Sequence, residues 1–86
     1  MANLTDAYFY RTDIVKAIMG RPKYVNRLKP LANESAYAYE RGRGFEFEKV
    51  CRGYVIGEYQ KLGIAFDNED IEWAVADIHW KIERLV

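Results

Sequence analysis

A chain of 86 residues has room for one hydrophobic core and one domain, 1–86, and its 13 basic and 13 acidic residues exclude coating of nucleic acid by bulk attraction. Half the residues are hydrophobic and 15% aromatic, too apolar for a disordered chain, while no apolar run approaches the roughly 18 residues of a membrane span. The single Cys51 cannot close an internal disulfide, and with no signal peptide at MANLTDAYFY the expected compartment is a reducing cytoplasm.

Near the N-terminus, Thr5 is suited to cap a helix whose apolar positions Ala7, Tyr10, Ile14, Ala17 and Ile18 recur three and four apart. Gly20 followed by Pro22 ends it. Pro22 fits the first position of a new helix, and Pro22 and Pro30 bracket at most two turns. In ANESAYAYERGRGFEFEKV, the Asn33 cap and good helix formers predict a short helix at about 34–41, followed by a break at Gly42 and Gly44. The alternation of Tyr37, Tyr39, Phe45 and Phe47 also reads as a β-hairpin near 36–50.

The next helix is expected over 45–62. Phe47, Val50, Cys51, Tyr54, Val55 and Leu62 form its apolar stripe and Gly63 ends it, while Gly53 and Gly57 lie on one face, by tolerance or for a close approach. The last helix runs from about 68 to 85. Asp67 caps it, Asp70 completes a short-armed capping box, and Phe66 can staple to Ile71. Its core face comprises Ile71, Ala74, Val75, Ile78, Ile82 and Leu85. The expected fold is therefore all-α, a small compact domain of three to five helices, with an α+β fold containing the 36–50 hairpin as the alternative.

No catalytic, cofactor or metal motif stands out. His79 falls on the flank of the last helix with no nucleophile tied to it, and Cys51 reads as a small buried hydrophobe with a raised pKa. DNEDIE lacks the spaced ligands and central glycine of a calcium loop, and RGRG lacks the Gly-Lys-Ser/Thr of a phosphate loop. A non-enzymatic role is expected.

Two surfaces are candidates for partner binding. The stretch GRPKYVNRLKPL holds Arg21, Lys23, Arg27 and Lys29 with Tyr24 among them, and RGRG adds Arg41 and Arg43. GRPK resembles the Gly-Arg-Pro centre of AT-hook motifs, which would imply contact with the minor groove of A·T-rich DNA. The likeness covers four residues, with Met19 where the hook has a basic one, and Gly then Pro is ordinary helix punctuation. Taken together, the six cations and Tyr24 would suit a nucleic-acid-binding module that contacts phosphates and stacks a base. They also answer the charge split of the chain: eight basic and four acidic residues in 1–43, five and nine in 44–86.

The second surface lies in the last helix. With Ile71 at 0° and about 100° per residue, Trp73 and Trp80 come out at about 200° and 180°, opposite the core face and among Glu69, Asp77 and Arg84. Either another segment of the chain covers them, or they anchor a dimer seam or a partner, and an acid-fringed aromatic pair suits a basic one. The expected function is that of a small cytoplasmic interaction protein binding another protein surface, with Trp73 and Trp80 as anchors and the basic residues as steering charges. In size and composition it is similar to phage and mobile-element accessory proteins that inhibit a host machine. The alternative is the nucleic-acid-binding module.

Overall fold

The computed structural model describes the backbone of residues 4–40 and 45–85 and the side chains of 6–32 and 46–85. Four helices make up the described chain: α1 (Leu4–Met19), α2 (Pro22–Glu40), α3 (Phe45–Leu62) and α4 (Asn68–Glu83). The fold is all-α. No strand occurs among the described residues, so the 36–50 hairpin is not formed.

One expectation about the middle of the chain is overturned. Instead of two short helices divided at Pro30, α2 runs unbroken from Pro22, with Pro30 and Asn33 in its interior. A proline there removes the hydrogen bond to the carbonyl four residues back and costs up to about 3 kcal/mol. Here Pro30 and Asn26 are both exposed, so the unpaired Asn26 carbonyl lies on the water side of the helix. Val25, Leu28 and Ala32 bury the opposite face on both sides of the proline and hold the helix across it. Gly42 and Gly44 lie outside the described residues, as does the Thr5 side chain.

The other boundaries follow local chemistry. Gly63 ends α3 at φ +68°, where a left-handed residue lets its own N–H reach the Gln60 carbonyl (3.1 Å) and the Ile64 N–H reach that of Tyr59 (3.3 Å), a Schellman closure. The capping box of α4 is present: Asp67 Oδ1 accepts the Asp70 N–H (3.0 Å) and Asp70 Oδ2 accepts the Asp67 N–H (3.2 Å). Among the described residues, a Cβ on Gly53 or Gly57 would meet nothing within 4 Å, so no close approach there requires a glycine.

All four helices pack on one another around a single core that includes Ile14, Ile18, Leu28, Phe47, Cys51, Val55, Tyr59, Ile71, Ile78 and Ile82. Tyr10, Leu62 and Leu85, which periodicity assigns to core faces, are instead 41%, 51% and 54% exposed. Leu62 and Leu85 sit at or beyond the ends of their helices, where no neighbour continues to cover them. The residue that fills the centre is Tyr59. Its ring stacks on Phe66 at 5.3 Å and its hydroxyl donates to the Ala7 carbonyl (2.9 Å), joining α3 to the first turns of α1.

Burial pushes the Cys51 thiol from 9.0 up to about 12 and the Tyr59 phenol from 10.0 up to about 12, with the Asp70 carboxylate adding to the second shift and the Arg11 guanidinium opposing it. The folded state holds both protons while the unfolded chain releases them, Cys51 first. Stability is therefore intact below about pH 9 and falls as pH rises toward 12. The urea midpoint should drop above pH 9, with Cys51 contributing a loss of roughly 1 kcal/mol between pH 9 and 10. Cys51→Ala should flatten that part of the curve, and an unchanged slope in this variant would show that the thiol is not the source.

Candidate functional site

Four of the five exposed aromatic side chains among the described residues lie on the outer side of α1 and α4; the fifth, Tyr10, faces the end of α3. Helix α1 buries Ala7, Ile14, Val15 and Ile18, and at about 100° per residue Phe9 lies roughly opposite Ala7 with Tyr8 on the flank. Helix α4 buries Asp70, Ile71, Ala74, Val75, Ile78 and Ile82, which turns Trp73 and Trp80 outward. Tyr8 is 60% exposed, Phe9 69%, Trp73 41% and Trp80 56%. Both tryptophans stay exposed with only an arginine side chain described against each ring.

One ion pair organises half of this surface. Arg11 reaches across from α1, its Nε donating to Asp70 Oδ1 at 2.7 Å and its second terminal nitrogen at the same distance from that oxygen. Asp70 is 2% exposed and also caps α4, so the carboxylate that starts the helix fixes the arginine. Held there, the guanidinium lies 4.8 Å from the Tyr8 ring centroid and 5.6 Å from that of Trp73. Tyr8 meets Phe9 edge to face at 5.8 Å. Together with Thr12 these side chains line an open cleft of about 250 Å³.

Trp80 stands two turns along the same face, about 10 Å away at 1.5 Å per residue. The Arg84 guanidinium covers one side of its indole, 4.3 Å from the centroid. Both tryptophans thus already take an arginine on a ring face.

No family model, curated protein or solved structure matches this chain. Any reading of function rests on the surface itself.

The basic residues of the 21–43 stretch do not converge in the same way. Arg21 turns toward α3, 3.8 Å from the buried Glu58, and its guanidinium lies 5.5 Å from the Tyr24 ring. Tyr24 is half-buried and stacked on Tyr54 at 4.3 Å, so one of its faces is occupied. Lys23 and Arg27, one turn apart, are exposed on the outer face of α2, while Lys29 is half-buried on a flank. Arg41 and Arg43 lie outside the described residues.

A second apolar area lies between α1 and the end of α3. Tyr10 and Leu62 flank an open groove of about 300 Å³, rimmed by Asp13, Arg21, Glu58 and Lys61, with Lys61 Nζ 3.0 Å from Glu58. A third groove, of about 180 Å³, lies between α3 and α4 and is lined by Phe47, Glu48, Glu72, Val75, Ala76 and His79.

His79 is a boundary side chain. Its ring tilts against Phe47 at 4.4 Å, and Nε2, shielded from solvent, lies 3.2 Å from Glu83 Oε1 without hydrogen-bond geometry. The one thiol of the chain, Cys51, is wholly buried in the core. Among the described residues no three His, Cys, Asp or Glu side chains are grouped to hold a metal ion.

The sequence pointed to Trp73 and Trp80 but missed Tyr8, Phe9 and Arg11. The signal for the aromatic pair was available: the helical-wheel count that turns the tryptophans outward also places Phe9 opposite Ala7. Arg11 had none, because its partner is 59 residues away.

Proposed function

We infer that this is a small, non-enzymatic protein of the cytoplasm that acts by binding another protein through the outer surface of α1 and α4. The observation that carries this reading is that four of the five exposed aromatic side chains among the described residues, Tyr8, Phe9, Trp73 and Trp80, share this surface of two helices. Large aromatics are the side chains most often found as interface anchors, and an apolar patch of this kind on a chain so small loses free energy in water unless it is covered. The Arg11–Asp70 pair holds Tyr8 and Trp73 in place before any partner arrives, which reduces the ordering cost of binding. The single buried thiol suits a reducing compartment, and among the described residues no helix is long and apolar enough to cross a membrane.

The test is site-specific photo-crosslinking in the source cell, with benzoylphenylalanine in place of Phe9 or Trp80 and, as a control, in place of Lys23. A protein adduct of one defined mass from positions 9 and 80, absent from 23, is expected. Adducts that form mainly from position 23 and vanish on nuclease treatment would transfer the function to the basic face of α2 and to nucleic acid.

A further inference from the structure

The aromatic surface has a charge as well as a shape. Residues 68–85 carry five acidic side chains, Glu69, Asp70, Glu72, Asp77 and Glu83, against Lys81 and Arg84. Two of these acids are answered by cations: Asp70 by Arg11 (2.7 Å) and Asp77 by Lys81 (2.7 Å). Glu69 and Glu72 are exposed, and among the described residues neither has a direct ion-pair partner; Glu72 accepts from Asn68 (2.9 Å), whose Oδ1 in turn accepts from Arg52 (2.7 Å). Beside them, the groove between α3 and α4 sets Glu48 and Glu72 around Phe47, Val75 and Ala76, with the half-buried His79 imidazole completing its lining. A groove that combines apolar side chains with carboxylates matches the anatomy of a lysine or arginine side chain, which packs a hydrocarbon stem and keeps its charged head at the edge.

The chain's own arginines display the same chemistry. Arg84 lies over the Trp80 indole and Arg11 lies toward that of Trp73, so both rings already accept a guanidinium from within the molecule. Two copies of this chain docked α4 to α4 across a two-fold axis would bring equal acidic faces together, which opposes such a pairing.

Resting on the reading that this surface binds a protein, we propose that its occupant is a cationic segment of another protein, which lays one Arg or Lys against Trp80 and seats another between Glu48 and Glu72. The carboxylates steer the segment, and the indoles and the apolar side chains of the groove hold it. Arg84 already makes the first of these contacts from within the molecule, and the partner's side chain joins it at the exposed part of the indole.

A selection from a random peptide display library on the full chain tests this, with Trp73→Ala/Trp80→Ala as counter-target. Peptides that depend on the tryptophans should be enriched in Lys and Arg over the starting library. Synthetic copies should bind the wild type at least tenfold more tightly than the Glu48→Gln/Glu72→Gln protein, and the difference should shrink with added salt. Both glutamines replace side chains outside the buried core, and an unchanged melting curve verifies that the variant is folded. Tryptophan-dependent peptides that are neutral or acidic would overturn the cationic occupant while leaving the protein-binding surface standing. Absence of any tryptophan-dependent enrichment would remove both. Light scattering of the protein alone closes the remaining route: a mass that rises with concentration and is restored to monomer by Lys23→Glu/Arg27→Glu would make a second copy the source of the cations and overturn the proposal.

Discussion

Replacing Asp70 with alanine should lower the unfolding free energy by about 3 kcal/mol, a large share of the total for a domain this small. Two losses combine. Half of the capping box of α4 is lost, at about 1 kcal/mol for one hydrogen bond, because the Asp67 N–H loses its side-chain acceptor while Asp67 Oδ1 still accepts the N–H of residue 70. The larger loss is electrostatic: the Arg11 side chain is only 16% exposed, and without the carboxylate its charge is stranded between α1 and α4. Urea unfolding followed by tryptophan fluorescence gives the number, and the double variant Arg11→Met/Asp70→Ala supplies the control. If the pair is coupled as its 2.7 Å contacts imply, removing the second charge recovers part of the stability lost with the first. A loss below about 1 kcal/mol for Asp70→Ala, with simple additivity in the double variant, would mean that the pair behaves like a solvated surface bridge.

The same pair marks the limit of what could be read from the sequence. Asp70 was legible as a cap because its role is local: it stands three residues after Asp67, ahead of an apolar run. Gly63 and both ends of α3 were legible for the same reason, since a left-handed closing residue and the stripe leading to it are fixed by near neighbours. Pro30 misled because its intrinsic penalty is real but was outweighed by tertiary burial of Val25, Leu28 and Ala32, which no window around residue 30 contains. Tyr10, Leu62 and Leu85 misled in the opposite sense. Periodicity ranks positions around a helix but not along it, so it does not show where the neighbouring helix stops. The candidate surface divides along the same line: Trp73 and Trp80 share one helix and could be read as a pair, whereas bringing Tyr8, Phe9 and Arg11 beside them needed the packing of α1 on α4.

Trp80→Ala should separate binding from folding more sharply than any other single change. The side chain is 56% exposed, and its only described ring contact is the Arg84 guanidinium, so truncation should cost less than about 0.5 kcal/mol of stability. At an interface, an indole that becomes fully desolvated is worth about 2 kcal/mol or more, a weakening of at least 25-fold in affinity for the partner captured at position 9. Trp73→Ala should behave differently. Trp73 is less exposed and packs near Arg11, so part of its effect falls on the fold and the two losses are mixed. Melting curves and titrations of the two variants side by side would show it: unchanged stability with a large affinity loss for Trp80→Ala, and a change in both for Trp73→Ala. Affinity unmoved by Trp80→Ala but reduced by Phe9→Ala would confine the contact to the cleft of Tyr8, Phe9 and Trp73, and Trp80 would then be an exposed indole sheltered only by its own Arg84.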